Sequence, residues 1–118
     1  EAVLRFVEDP RLSPVCPTLV FEEVEAQYGS AGLSERSRAR IALSAFRLLA
    51  MPEASAMHDA IAGETIPKLL GLGHAKPVLT ATTVFAGAAD DRRRAEAAVS
   101  GLADQEQARR LLEWLRAA

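Results

Sequence analysis

Histidine and cysteine, whose side chains often act as metal ligands or nucleophiles, are few in this sequence and lie far apart along the chain. The only histidines are His58 and His74, and the only cysteine is Cys16. A zinc or iron site needs several converging ligands, such as two histidines four positions apart on one helix face. His58 has Ala54 and Ala62 at those positions. We therefore expect no metal site.

No other residue anchors a catalytic mechanism. Cys16 has no histidine near it in sequence that could activate a thiolate nucleophile, so we expect a small apolar filler. Gly71 and Gly73 do not belong to a phosphate-binding loop, because the GxxxxGK[ST] pattern is absent. The carboxylates between Asp90 and Glu106 fall at predicted helix starts, where helix capping alone explains acids. We expect a protein that is not an enzyme and has no cofactor.

His58 leaves one alternative open. A histidine phosphotransfer domain is a helical bundle of this size built around one exposed histidine, and that family carries Lys-Gly at the third and fourth positions after it. Here those positions hold Ile61 and Ala62, and Gly63 comes fifth. The alternative to a non-catalytic module is therefore a compact helical signalling bundle that resembles such a domain.

The composition indicates the fold class and the secondary structure on which these residues lie. The 118 residues suffice for one domain, are 49% hydrophobic but only 5% aromatic, and contain no apolar run long enough to span a membrane. Abundant alanine and leucine predict an all-α fold without a sheet, either a short helical solenoid block or a compact bundle. Because the chain begins with Glu1, we expect a single domain, 1–118, excised from a larger intracellular, cytoplasmic protein.

Helical periodicity and turn residues divide the chain into seven or eight short helices. Ser34 and Asp104 are predicted to cap helices, and Gly63 to close one over 52–62. Thr65 is predicted to cap a short helix that ends at Gly71. Further helices are expected over 2–7, 18–28, 77–88 and 92–100. The predicted core consists of Phe46, Leu49, Ile61, Leu69, Leu70, Leu111 and Leu112.

A faint internal repeat points to a family. Segments such as Ala60-Ile61-Ala62-Gly63 and Ala98-Val99-Ser100-Gly101 recur at offsets of 38 to 42 residues, near the period of helical repeats. Residues 40–72 resemble one armadillo or HEAT-like unit, with Gly63 and then Ile66-Pro67-Lys68-Leu69 at the passage into the third helix. The resemblance implies a protein-protein interaction scaffold. The family's asparagine ladder for extended peptides is missing, since the chain has no asparagine.

Charge patterning indicates where a protein partner would dock. Residues 1–29 carry a net charge of −4, and residues 30–50 carry +3. Arg36, Arg40 and Arg47 recur at spacings of four and seven, so they share one helix face, and we expect them to contact an acidic partner. The competing interpretation is that Glu22, Glu23 and Glu25 neutralise this stripe within the molecule.

The sequence also bears on self-association, nucleic acid and membranes. A short solenoid block exposes apolar end faces, so self-association or flanking repeats are expected. No segment has the sustained basic character of a nucleic-acid footprint, and we expect neither nucleic acid nor a membrane as a partner. A helical nucleic-acid binder that uses the arginines of 36–47 and 92–94 would be the exception, and steep salt dependence would reveal it.

Overall fold

The computed structural model of the chain describes residues 17–117, apart from the side chains at positions 17–20, 30 and 31. The predictions on residues 2–7 and on Cys16 lie outside this part of the chain. No strand occurs within residues 17–117, which confirms the all-α fold class. The elements in chain order are α1 (Pro17–Gly32), α2 (Glu35–Leu49), a 3₁₀ helix (Pro52–Met57), α3 (His58–Ala60), a π helix (Ile61–Thr65), α4 (Ile66–Leu70), α5 (Ala81–Val84), α6 (Ala89–Ser100) and α7 (Gln105–Arg116).

Helix α2 is the centre of the fold. Ser34 begins it as predicted, because its hydroxyl oxygen accepts a hydrogen bond from the Ser37 N–H at 3.1 Å. Eight of its fifteen residues are buried, and α1, α5, α6 and the segments of 52–70 all pack against it. Small side chains such as Ala39, Ala42 and Ala45 let these neighbours approach closely. Helix α1 extends past the predicted end at residue 28, although its backbone is non-helical at Gly29.

Four helical segments follow each other without a break over 52–70, and here the prediction was wrong. Gly63 does not close a helix, and Thr65 does not cap one, because both lie inside the π helix and Thr65 is fully buried. Pro67 supplies the physical reason. It has no N–H, and in an α-helix its ring would clash with the carbonyl of Gly63. The wider turn avoids this clash, and the Ile66 N–H bonds the carbonyl oxygen of Ile61 instead.

Residues 71–80 form a loop that folds back over the end of α4. The sequence had instead predicted a helix over 77–88. Gly71 ends α4 with φ +71°, and the N–H groups of Val78 and Leu79 then both donate to the carbonyl oxygen of Leu70, at 2.9 and 3.4 Å. Only Ala81–Val84 becomes helical, capped by the Thr80 hydroxyl. The segment about 40 positions after α2, where the internal repeat predicts a matching helix, is therefore a loop and a single helical turn.

Helices α6 and α7 close the core. Helix α6 begins at Ala89, so Asp90 and Asp91 lie in its first turn, and Asp104 caps α7 as predicted. The predicted core residues are buried except Leu112, which is partly buried and packs against the core edge. Trp114 is only 6% exposed, so it also belongs to the core. The radius of gyration is 13.0 Å, close to the value of about 13 Å typical of a compact domain of 100 residues.

Candidate partner-binding groove

The three arginines that the sequence placed on one helix face have different surroundings in the structure. Arg36 is exposed, Arg40 is half-buried, and both border the same groove. Arg47 lies outside that groove, and its guanidinium donates to the Asp91 carboxylate of α6 at 2.8 Å. Its charge is therefore engaged in an ion pair that joins α2 to α6. The candidate site reduces to Arg36 and Arg40.

The groove runs between the N-terminal half of α2 and the region of α5. It has a volume of about 650 Å³, within the range of roughly 300–1,000 Å³ that ligand-binding clefts occupy. Apolar side chains of both elements form its floor, and charged side chains of α2 form its rim. Its lining residues are Glu35, Arg36, Ala39, Arg40, Leu43, Thr83, Val84 and Ala86, and we call this set the arginine groove.

Helix geometry explains why these residues meet. Positions 36, 39, 40 and 43 recur at intervals of three and four, so they form one stripe along the first turns of α2. Val84 is buried against this stripe, and Leu43 is partly buried beside it. Arg38 points in another direction, since its guanidinium lies 5.9 Å from the centre of the Phe21 ring of α1. The helix thus turns one arginine toward α1 and two toward α5.

The ion pair that is seen between α1 and α2 lies outside the predicted stripe. Glu25 pairs with Arg38 at 3.3 Å. Glu22 and Glu23 are exposed, and the Glu23 carboxylate accepts a hydrogen bond from the Gln27 side chain at 3.4 Å. Within residues 17–117, no ion pair joins either of these two glutamates to an arginine of the groove. The groove's own lining includes one acidic residue, Glu35 of α2.

His58 is engaged in a structural contact. Its Nε2 lies 3.1 Å from the carbonyl oxygens of both Leu48 and Met51, at the C-terminal end of α2. Both partners are acceptors, so Nε2 carries the hydrogen and donates. A phosphotransfer histidine must present a ring nitrogen as a nucleophile, and this nitrogen faces the backbone. The geometry therefore does not favour the phosphotransfer alternative.

A second groove, of about 790 Å³, is bordered by α1, the first turns of α2, the 52–70 stretch and the 71–80 loop. Sequence reasoning missed it, because its walls come from separate segments of the chain. Its apolar lining includes Phe21, Leu33 and Val78, the last of which is 50% exposed. The ionisable lining residues are of both signs: Glu25, Glu35, Arg38, Glu64, Lys68 and His74. This mixture gives the second groove no clear charge preference.

Sequence reasoning also missed the far wall of the arginine groove. Thr83, Val84 and Ala86 lie more than 40 positions from the arginines, and the prediction placed them in a longer helix.

The described residues contain no cluster of three or more side chains suited to hold a metal ion. Over the same residues, no helix is both long enough and apolar enough to cross a membrane. No protein-family model matches the chain, and no curated protein and no solved structure shows significant similarity to it.

Proposed function

We propose that this chain is a non-catalytic helical interaction module that binds an acidic segment of a protein partner in the arginine groove. The observation that supports this most directly is the shared position of Arg36 and Arg40 on the rim of one cleft with an apolar floor. Their guanidinium groups offer planar donors suited to carboxylates. The floor offers contact area for an apolar side chain between those carboxylates.

The arginines and the apolar floor of the groove contribute differently to binding. An exposed arginine-carboxylate pair contributes only about 0–1 kcal/mol, so charge alone does not hold a partner firmly. Burial of apolar surface contributes roughly 25 cal/mol per Å², and the floor supplies it. The arginines then select an acidic partner and accelerate its approach. A partner segment should therefore carry an apolar residue flanked by acids.

The proposal includes the armadillo or HEAT-like character of the module. Ile61, Leu69 and Leu70 of the unit 40–72 are fully buried, as the apolar pattern of such a unit requires. Further repeats outside this chain would extend the interaction surface, since repeat proteins build theirs by stacking.

The test is a binding measurement with a defined probe. We expect a fluorescein-labelled peptide of glutamate pairs separated by single leucines to bind, with anisotropy that falls as salt is added. The Arg36→Glu/Arg40→Glu variant should weaken binding by at least about tenfold, because like charges then face each other. Arg110→Glu is the matched control, since Arg110 is exposed on α7, away from the groove.

The melting temperature separates docking from a structural role. Docking predicts that the single variant Arg36→Glu, at the exposed position of the rim, weakens binding with an unchanged melting temperature. Equal binding by the double variant and by Arg110→Glu would overturn the assignment of the groove. Binding of a lysine-leucine peptide as tightly as the glutamate peptide would overturn the acidic partner.

A further inference from the structure

We infer that the partner segment in the arginine groove continues past Glu35 into the second groove, and that a basic residue of the segment faces Glu35; this inference rests on the proposed function of the arginine groove. Among the described residues, Glu35 alone lines both grooves. The two grooves are therefore neighbours, and the start of α2 is the wall that they share.

Helix geometry gives the distance that the segment must cross. Seen along the axis of α2, Arg38 of the second groove lies about 60° to one side of Glu35, and Ala39 of the arginine groove lies about 40° to the other. On a helix with a radius of about 5 Å, this angle corresponds to an arc of about 9 Å. An extended chain advances about 3.3 Å per residue, so about three residues connect the two grooves.

The chemistry changes at the crossing. Glu35 is exposed, and within residues 17–117 no ion pair joins its carboxylate to a cation. A carboxylate at this point repels a segment that stays acidic and attracts one that presents a cation. The acidic stretch that meets Arg36 should therefore be followed by a lysine or arginine opposite Glu35.

The second groove offers apolar contact beyond this point. Val78 lines it and is 50% exposed, although large apolar side chains of the described residues are otherwise buried or half-buried, Tyr28 excepted. Leu33, also in this lining, is half-buried. An apolar residue of the segment that covers these side chains removes their surface from water. The partner segment thus combines an acidic-apolar part, one basic residue and a second apolar part.

Fluorescence anisotropy with extended peptides tests this inference. The probes are the glutamate-leucine peptide and two longer forms, which add Ser-Lys-Ser-Leu-Leu after its last residue or Leu-Leu-Ser-Lys-Ser before its first, one for each chain direction. We expect one longer form to bind at least about tenfold more tightly than the short peptide, because one molecule then engages both grooves.

Val78→Asp should remove this gain while the short peptide still binds, which shows that the arginine groove is intact. Tyr28→Asp is the matched control, since Tyr28 is 61% exposed and lines neither groove. It should leave the gain unchanged. A gain that survives Val78→Asp overturns the inference.

Charge reversal at Glu35 is the decisive arm. In Glu35→Lys the extension with lysine should lose its gain over the short peptide, whereas the same extension with glutamate in place of lysine should gain at least about tenfold. This exchange also shows that the variant is folded. Glu53→Lys reverses an exposed acid outside both grooves and should leave the preference for lysine unchanged. A preference for lysine that persists in Glu35→Lys overturns the inference.

The short peptide keeps this inference separate from the proposed function. If it binds and neither extension improves binding, the continuation is overturned and the proposed function stands. If no peptide binds, both fail. Self-association in sedimentation velocity that Val78→Asp abolishes would place another copy in the second groove and would also overturn the continuation.

Discussion

At the scale of single residues, Gln107 replaces a hydrogen bond that Pro67 removes from the backbone. In the π helix the Ile66 N–H bonds Ile61, so the next N–H that could reach the carbonyl oxygen of Ala62 would be that of residue 67, which proline lacks. The Gln107 side-chain amide donates to this oxygen at 2.7 Å from α7. A contact across 45 positions thus completes the unusual turn.

A double-mutant cycle tests this account. Gln107→Ala should lower the free energy of unfolding by about 1 kcal/mol, because the carbonyl of Ala62 loses its donor. In a Pro67→Ala background the same change should cost less, since residue 67 then supplies an N–H. Urea denaturation of the four proteins measures the coupling. Gln27→Ala, which removes an amide with an exposed local partner, is the control, and equal costs for both glutamines would contradict the account.

His58 distinguishes the non-catalytic interaction module from the phosphotransfer bundle, because only the latter requires this histidine as a nucleophile. Its Nε2 donates to the carbonyls of Leu48 and Met51, each of which also accepts a backbone N–H. We expect no acid-labile phosphate after incubation with labelled acetyl phosphate, because this nitrogen is occupied. His58→Ala should instead cost about 0.5–1.5 kcal/mol of stability, with exposed Asp59→Ala as the control. Labelling that disappears in His58→Gln would overturn the non-catalytic module.

At the scale of elements, the end of α4 depends on a close approach between two backbones. Gly71 has φ +71°, and a Cβ built there would lie 2.8 Å from the backbone nitrogen of Val78 and 2.5 Å from its Cγ2. That nitrogen is the group that bonds Leu70 and holds the loop in place. The loop can therefore sit on α4 only because residue 71 has no side chain.

Gly87 provides a matched control for this position. Its φ of +72° equals that of Gly71 within a degree, but a Cβ there would meet nothing within 4 Å. Alanine at either position should cost about 1–2 kcal/mol for the left-handed backbone. Gly71→Ala should cost at least about 1 kcal/mol more, because the loop must shift. Equal losses in urea denaturation would show that the loop moves without cost.

Local signals predicted the elements that local contacts stabilise. Ser34 and Asp104 are caps in the structure because each side chain bonds a backbone N–H three positions later. Thr65 before Ile66-Pro67 gives a similar signal, yet the helix continues, since Gln107 satisfies the turn from α7. The predicted helix over 77–88 is mostly a loop for a comparable reason. The bonds that hold Val78 and Leu79 run to Leu70 and are not visible in a periodic pattern.

The candidate site follows the same division. The spacing of Arg36 and Arg40 within one helix predicted that they share a face, and they line one groove. Arg47 was also on that face, but it pairs with Asp91, an acid 44 positions away. The far wall of the groove comes from the region of α5, which no spacing within α2 could indicate. Tertiary contacts thus decide which members of a predicted stripe stay together.

At the scale of the whole molecule, three aromatic side chains connect the central helix to the C-terminal part. Phe46 of α2 lies between Phe85 and Trp114, with ring centres 5.3 and 5.9 Å away, and it stacks nearly parallel to the indole. The Trp114 Nε1–H donates to the carbonyl oxygen of Leu79 at 2.8 Å. Helices α2 and α7 and the 71–80 loop therefore share one buried cluster.

This arrangement predicts that the loop unfolds together with the helices. Trp114 is the only tryptophan, so its fluorescence reports the cluster alone, while far-UV circular dichroism reports all helices. In urea both signals should change at one midpoint, as in a two-state transition. Trp114→Phe keeps a ring against Phe46 but removes the donor to Leu79. The free energy of unfolding, measured by circular dichroism in urea, should fall by about 1–3 kcal/mol because a buried carbonyl loses its partner. Two separate midpoints in the unaltered chain would contradict this coupling and would indicate that the cluster melts apart from the helices around α2.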